Sequence, residues 1–136
     1  MFSRLFALAV PYSGTVGLDV LEMAPGLART RLKDRRRVRN HLDSIHAIAI
    51  CNVGEATTGL AMMTRIPKGA RAILVGLSAE YLKKSRGTLT AEADCPDIPD
   101  ATERDLPLTA TLRDRDGDVV ATVLARWRVG PDRRAG

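Results

Sequence analysis

The stretch RNHLDSIHAIAICNVGEATTGLAM, residues 39–62, begins with polar residues, becomes almost wholly apolar, and carries one acid, Glu55, in its apolar part. Asp43 or Ser44 is suited to cap the start of a helix here, because each side chain offers an oxygen to the first backbone amides. A proline and a glycine follow the stretch within a few residues and end the helix. We therefore predict one long central helix over about residues 44–64.

Glu55 is the residue of this helix that needs an explanation. Nearly every position around it is apolar or small, so we expect no polar face that would carry its side chain into water. A carboxylate held away from water costs stability unless it finds a partner or its pKa rises. Such a residue serves either a structural ion pair or the chemistry of a site, and the residues alone leave both interpretations open.

The segments on either side of the helix alternate between apolar and polar residues, as half-buried strands do. Upstream, VGLDVLEM and LARTRL flank the turn APG. Downstream, SRG leads into TLTAEADC, and RDGD joins two further alternating runs as a hairpin. The long strand after the helix is predicted to present five residues on one side: Ile73, Val75, Leu77, Ala79 and Tyr81. The expected class is α+β, a long helix against a curved antiparallel sheet of five to six strands.

The 136 residues are enough for one domain, so we predict a single domain over 1–136. It would begin with a short amphipathic helix over 1–11 and end in a tail from about residue 130. The apolar run near the N-terminus is too short for a signal peptide, and no apolar run is long enough to span a membrane. The two cysteines, Cys51 and Cys95, are too few for a disulfide framework, which favours a cytoplasmic location.

The net charge of +5 and the pI of about 9.8 suit an anionic partner. The basic clusters are not interleaved with the aromatic residues that stack on bases, so we do not expect nucleic acid to be that partner. The histidines and cysteines lack the paired spacing of a metal site, so no metal is expected either.

Asn40, His46 and Glu55 are spaced as N-x5-H-x8-E across a loop and into the helix. This pattern resembles the hotdog-fold thioesterases of the phenylacetate-degradation (PaaI-like) type, in which an Asn is followed by a His that opens an HGG and then by an acid. RDRDGDVVATVLARWRV resembles the last hairpin of that family, and AEYLKKSRGTLTAEA resembles its long strand and the strand that follows. The resemblance covers residues 16–129.

The resemblance implies a hotdog fold, an acyl-CoA thioesterase activity without a cofactor, and a site at the interface of a homodimer or a dimer of dimers. Glu55 lies eight residues after Ala47, roughly 12 Å along a helix, so it cannot reach a carbonyl held at its own helix's start. An antiparallel partner helix would supply it. The implied roles are catalysis for Glu55 and Asn40, backbone oxyanion donors at Ala47 and Ile48, support from His46 and Thr58, and coenzyme A contacts for Lys83, Lys84 and Arg86.

One departure from the family keeps two other functions open. This chain has HAI where the family has HGG, so side chains stand where glycines let the backbone approach the thioester. A non-catalytic acyl-CoA or fatty-acid binding protein would fit that change. A hydroxyacyl-thioester dehydratase would use His41, fourteen residues before Glu55, but the sequence around His41 lacks that family's motifs.

Overall fold

The computed structural model describes residues 17–33 and 47–133. The strands are β1 (Leu18–Ala24), β2 (Leu27–Leu32), β3 (Ala70–Tyr81), β4 (Leu89–Asp94), β5 (Arg104–Arg113) and β6 (Val119–Pro131), and the helix between β2 and β3 is α1 (Ala47–Met63). The predicted N-terminal helix over 1–11, the helix caps at residues 43 and 44, and the last three residues of the tail lie outside the described residues.

The six strands form one antiparallel sheet in the order β1-β2-β4-β5-β6-β3. The helix lies against the four inner strands and touches the edge strands β1 and β3 much less. A single long helix wrapped by a curved antiparallel sheet is the hotdog fold, so the predicted fold class is confirmed.

The core follows from the alternation of the strands, whose inward residues pack against the helix. β5 buries every second residue from Leu106 to Leu112, and β6 buries Val123, Ala125 and Val129. The helix approaches β6 closely because Gly54 has no side chain. A Cβ at this position would overlap the Val123 side chain, whose Cγ2 would be 2.6 Å away and whose other carbons would be nearer still. This contact fixes the depth at which the middle of α1 lies on the sheet.

The edge strand β3 differs from the prediction in one respect. A β-bulge between Leu74 and Gly76 shifts the pairing with β6, and a one-residue shift moves the following side chains to the other face. Ile73 therefore pairs with Arg128 on the outer face, whereas Leu77 pairs with buried Ala125 on the helix side. The expectation that Ile73 and Leu77 share one side was wrong, because strict alternation contains no signal for the extra residue.

Candidate active site

The helix has a partly exposed stripe along one side. Its members recur every three or four residues, the spacing of one helical face, and none of them is fully buried: Ile48, Asn52, Glu55, Gly59 and Met63. Both ends of the stripe are apolar and exposed to solvent, since Ile48 is 60% exposed and Met63 is 58% exposed. Its middle is polar, with Asn52 and Glu55.

Glu55 is therefore half-buried rather than enclosed, which corrects the expectation that no face of the helix leads to water. Within residues 17–33 and 47–133, its carboxylate makes no hydrogen bond or ion pair. The structural explanation of Glu55 needed such a cation or donor, and the described part of the chain does not supply one. An acid that is half-buried on a mostly apolar stripe, without a partner among the described residues, is a candidate for contact with a ligand or a second chain.

Thr58 is held in a structural contact. Its hydroxyl is fully buried, shares its one proton between the backbone carbonyls of Gly54 and Glu55 at 2.9 and 3.0 Å, and accepts a hydrogen bond from the indole N–H of Trp127 at 3.0 Å. The hydroxyl therefore ties the helix turn that carries Glu55 to strand β6. It supports the backbone of Glu55 and makes no hydrogen bond with the carboxylate.

The first described turn of α1 is tied to the end of β3 by Tyr81. The Tyr81 hydroxyl donates to the Ala47 carbonyl at 3.1 Å and lies 3.3 Å from Cys51 Sγ. Since a phenol has one proton, the Cys51 thiol is the donor in the second bond. Partial burial and the bond with Cys51 raise the pKa of Tyr81 to about 12, so the phenol is protonated at neutral pH. Ala47 and Ile48, the predicted oxyanion residues, belong to this turn, and both are exposed.

The three predicted coenzyme A residues are not equivalent. The Lys83 ammonium lies 2.8 Å from Asp114 and 2.9 Å from Asp118, at the hairpin between β5 and β6. These two bonds raise the pKa of Lys83, and the bond from Lys83 lowers the pKa of the Asp114 carboxyl. Lys83 is thus neutralised within its own chain. Lys84 and Arg86 are exposed and make no ion pair with any residue of the described ranges.

Several predicted site residues lie outside the described residues: Asn40, His41 and His46. Within one chain the remaining groups are separated, because eight residues of helix put about 12 Å between Ala47 and Glu55. In the described ranges no cluster of three or more metal-ligating side chains is present, and Cys51 and Cys95 are free thiols. The helix α1, which is the one helix of the described ranges, is not long and apolar enough to cross a membrane.

Two residues that shape this site, Tyr81 and Trp127, were not among the predicted site residues. Both face the helix from β3 and β6, and both bond to it through their polar atoms. Alternation places them on an inward face, but the pairing register that brings each one to a particular helix turn is a tertiary property. A single Trp in a strand indicates that the position is packed, but it does not identify the residue that the indole contacts.

A family model described as a domain of unknown function, DUF4442, matches residues 1–129. A structural-genomics protein of no stated function is 32% identical, with a TM-score of 0.86 over 96% of this chain and 88% of that chain. A thioesterase family protein from Silicibacter pomeroyi is 20% identical, with a TM-score of 0.81 over 96% of both chains. A Haemophilus influenzae thioesterase is 12% identical, with a TM-score of 0.82 over 96% of this chain and 88% of that one. No curated protein matches the sequence.

Proposed function

We propose that this chain, which belongs to the DUF4442 family and has the hotdog fold, is a thioesterase that hydrolyses acyl-CoA at a site shared by two copies. The observation that carries the proposal is Glu55, a carboxylate that has no partner among the described residues and lies halfway along a partly exposed helix stripe. Two similar structures are of proteins named as thioesterases, which supports the choice of reaction. The fold alone does not determine a function, so the proposal depends on the residues of the site.

The second copy is expected at the edge strand β3. This strand is 12 residues long, has no fully buried residue, and exposes Ile73 (47%), Leu77 (39%) and Tyr81 (48%). A long apolar edge is a template for pairing with another strand. The opposite edge, β1, is shorter, is bulged after Val20, and is lined by ion pairs such as that of Asp19 with Arg31. Twofold pairing through β3 would bring two α1 stripes together in antiparallel orientation.

In such a dimer, Glu55 of one copy lies beside the first turn of the partner's helix. The start of a helix carries amide donors and the positive end of its dipole, so we assign the amide of Ala47 or Ile48 to the thioester oxygen. Glu55 either attacks the carbonyl carbon or takes a proton from the attacking water. When Glu55 takes the proton of the attacking water, a C–O bond forms, the C–S bond breaks, the proton passes from Glu55 to the departing thiolate of coenzyme A, and the acyl group leaves as a carboxylic acid. When Glu55 attacks the carbonyl itself, the C–S bond breaks to leave an acyl–Glu55 anhydride; a water then hydrolyses the anhydride, which frees the carboxylic acid and Glu55, and the thiolate takes its proton from water. Asn40 holds the water or the carbonyl, and His46 braces the loop before the helix.

A non-catalytic acyl-CoA binding protein is the second candidate, and one observation favours it. The Ile48 side chain stands where the hydrolases have glycine, at the point where the thioester would approach the backbone. An assay of free thiol distinguishes the hydrolase from the binding protein. The wild-type chain is incubated with acyl-CoAs of increasing chain length and a dye that detects free thiol. The hydrolase predicts catalytic release of coenzyme A for at least one chain length. Saturable binding of acyl-CoA without release would establish the binding protein instead.

The exposed cations after β3 give a prediction about substrate recognition. Charge reversal by Lys84→Glu and Arg86→Glu should raise the KM for acyl-CoA several-fold, because these cations are proposed to contact its phosphates. The KM for a short thioester that lacks the nucleotide should not change. As a control, Lys83→Met should lower the thermal midpoint by breaking the bonds to Asp114 and Asp118, with little effect on either KM. Equal KM changes for both substrates would contradict the assignment.

A further inference from the structure

The helix contains two interior glycines, and packing explains only the first. A glycine inside a helix costs about 1 kcal/mol relative to alanine. At Gly54 the close contact with Val123 excludes any side chain. At Gly59 an added Cβ would meet nothing tighter than the edge of the Trp127 indole, at 3.3 Å from Cζ2 and 3.5 Å from Cη2. Gly59 therefore leaves the edge of this ring without a side chain over it on the exposed stripe, and a methyl group would fit there only if the ring shifted by a few tenths of an ångström.

The indole is anchored at this place by a hydrogen bond. Its N–H donates to the buried Thr58 hydroxyl, which fixes the ring beside the helix turn that carries Gly59. The ring is only partly buried, and its partner across the β3–β6 ladder is Leu74, which is also partly buried. Leu77 continues the helix-facing side of β3 and is 39% exposed. An apolar surface thus runs from the helix across β6 to β3.

We call this surface the indole strip, and define it by five residues: Gly59, Met63, Leu74, Leu77 and Trp127. None of them is charged, so the strip does not suit the phosphates of coenzyme A. Gly59 lies one helical turn after Glu55, roughly 6 Å along the axis and on the same face. The stripe of α1 is therefore polar at Asn52 and Glu55 and apolar beyond them, in the same order as a thioester group and its hydrocarbon chain.

We propose that the indole strip binds the hydrocarbon chain of the acyl group, with the uncovered edge of Trp127 as its floor. This inference rests on the proposed thioesterase function, since it places the reacting carbonyl beside Glu55. Three other large aliphatic side chains of α1, those of Ile50, Val53 and Leu60, are not available to the hydrocarbon chain. Those three side chains are at most 1% exposed and belong to the core between helix and sheet.

Trp127 provides a direct test, because it is the single tryptophan of the chain. The full-length wild-type protein is titrated with S-decyl-CoA, a thioether that cannot be hydrolysed, and with S-methyl-CoA and coenzyme A. We expect S-decyl-CoA to shift the tryptophan emission to shorter wavelength, since the chain displaces water from the ring. S-methyl-CoA and coenzyme A should leave the emission unchanged, because neither carries hydrocarbon that reaches Gly59.

The substitution Gly59→Ala tests the same contact from the helix side. The added methyl group covers the indole edge, so S-decyl-CoA should bind about tenfold more weakly, the effect of one methyl group in an apolar pocket. Binding of S-methyl-CoA, measured by calorimetry, should be unchanged. Calorimetry reports the binding of S-decyl-CoA wherever it occurs on the protein. Three results would overturn the proposal: binding without an emission shift, no binding at all, or binding to Gly59→Ala that is as tight as binding to wild type.

The test separates this inference from the proposed function. An emission shift with S-decyl-CoA but no thiol release from an acyl-CoA of any chain length would support the strip and refute the hydrolase. Thiol release from decanoyl-CoA without any emission shift would support the hydrolase and refute the strip.

Discussion

Glu55→Gln is expected to release thiol from acyl-CoA at least about a hundredfold more slowly than the wild-type chain, with little change in KM. Glutamine keeps the shape and length of the side chain but can neither attack the carbonyl nor accept a proton from water. Binding of the substrate depends on other groups, so the loss should appear in kcat. The measurement is steady-state thiol release under saturating and limiting acyl-CoA.

The stability of the same variant distinguishes catalysis from scaffolding. The Glu55 carboxylate has no ion pair within the described ranges, so its neutral amide should leave the thermal midpoint unchanged or higher. Glu92→Gln is a matched control, because Glu92 is exposed on β4 and its described ion pair is a 3.5 Å contact with Arg29. That control should keep full activity. A fully active or markedly destabilised Glu55→Gln protein would mean that the acid is structural.

Gly54→Ala is expected to lower the free energy of unfolding by about 3 kcal/mol or more, a large part of the 5–15 kcal/mol typical of a domain. The added Cβ overlaps the Cβ of Val123 as well as its methyl groups, so shortening Val123 to alanine would not remove the clash. The helix must move away from β6, and Glu55 moves with it. Urea unfolding of the purified variant gives the change in stability.

Gly59→Ala is the control for this prediction, since it makes the same change in the same helix. The nearest atom to its added Cβ would be Trp127 Cζ2 at 3.3 Å, and alanine is the better helix former. We therefore expect its midpoint to stay within a few degrees of wild type. If Gly54→Ala and Gly59→Ala proved equally stable, the close approach of α1 to β6 would not be a determinant of the fold.

The sequence was sufficient for the fold because its strongest signals are local. The long apolar helix, the RDGD hairpin and the alternating runs define the elements, and short turns leave few ways to join them into a sheet. The bulge in β3 was missed because a bulge is set by pairing with β6 and not by the residues of β3 alone.

The site was less predictable than the fold, and the reasons are physical. Glu55 was expected to be enclosed, because the residues around it are small or apolar on every side of the helix. Its partial exposure arises from the sheet, whose edge strands β1 and β3 touch the helix much less than the inner strands do. Lys83 was grouped with Lys84 and Arg86 by proximity in sequence. Its bonds to Asp114 and Asp118 join segments that are about thirty residues apart, which local sequence does not reveal.

The central claim is that each active site takes Glu55 from one copy and the segment before the helix from the other. It can be tested by making a mixed dimer in which one chain carries Glu55→Gln and the other Asn40→Ala, each with a different affinity tag. One site of the mixed dimer then holds both substitutions and the other site holds neither, so the purified dimer should have about half of the wild-type kcat per dimer. Activity no higher than the mean of the two separate variants, or failure to recover any mixed dimer, would contradict the claim.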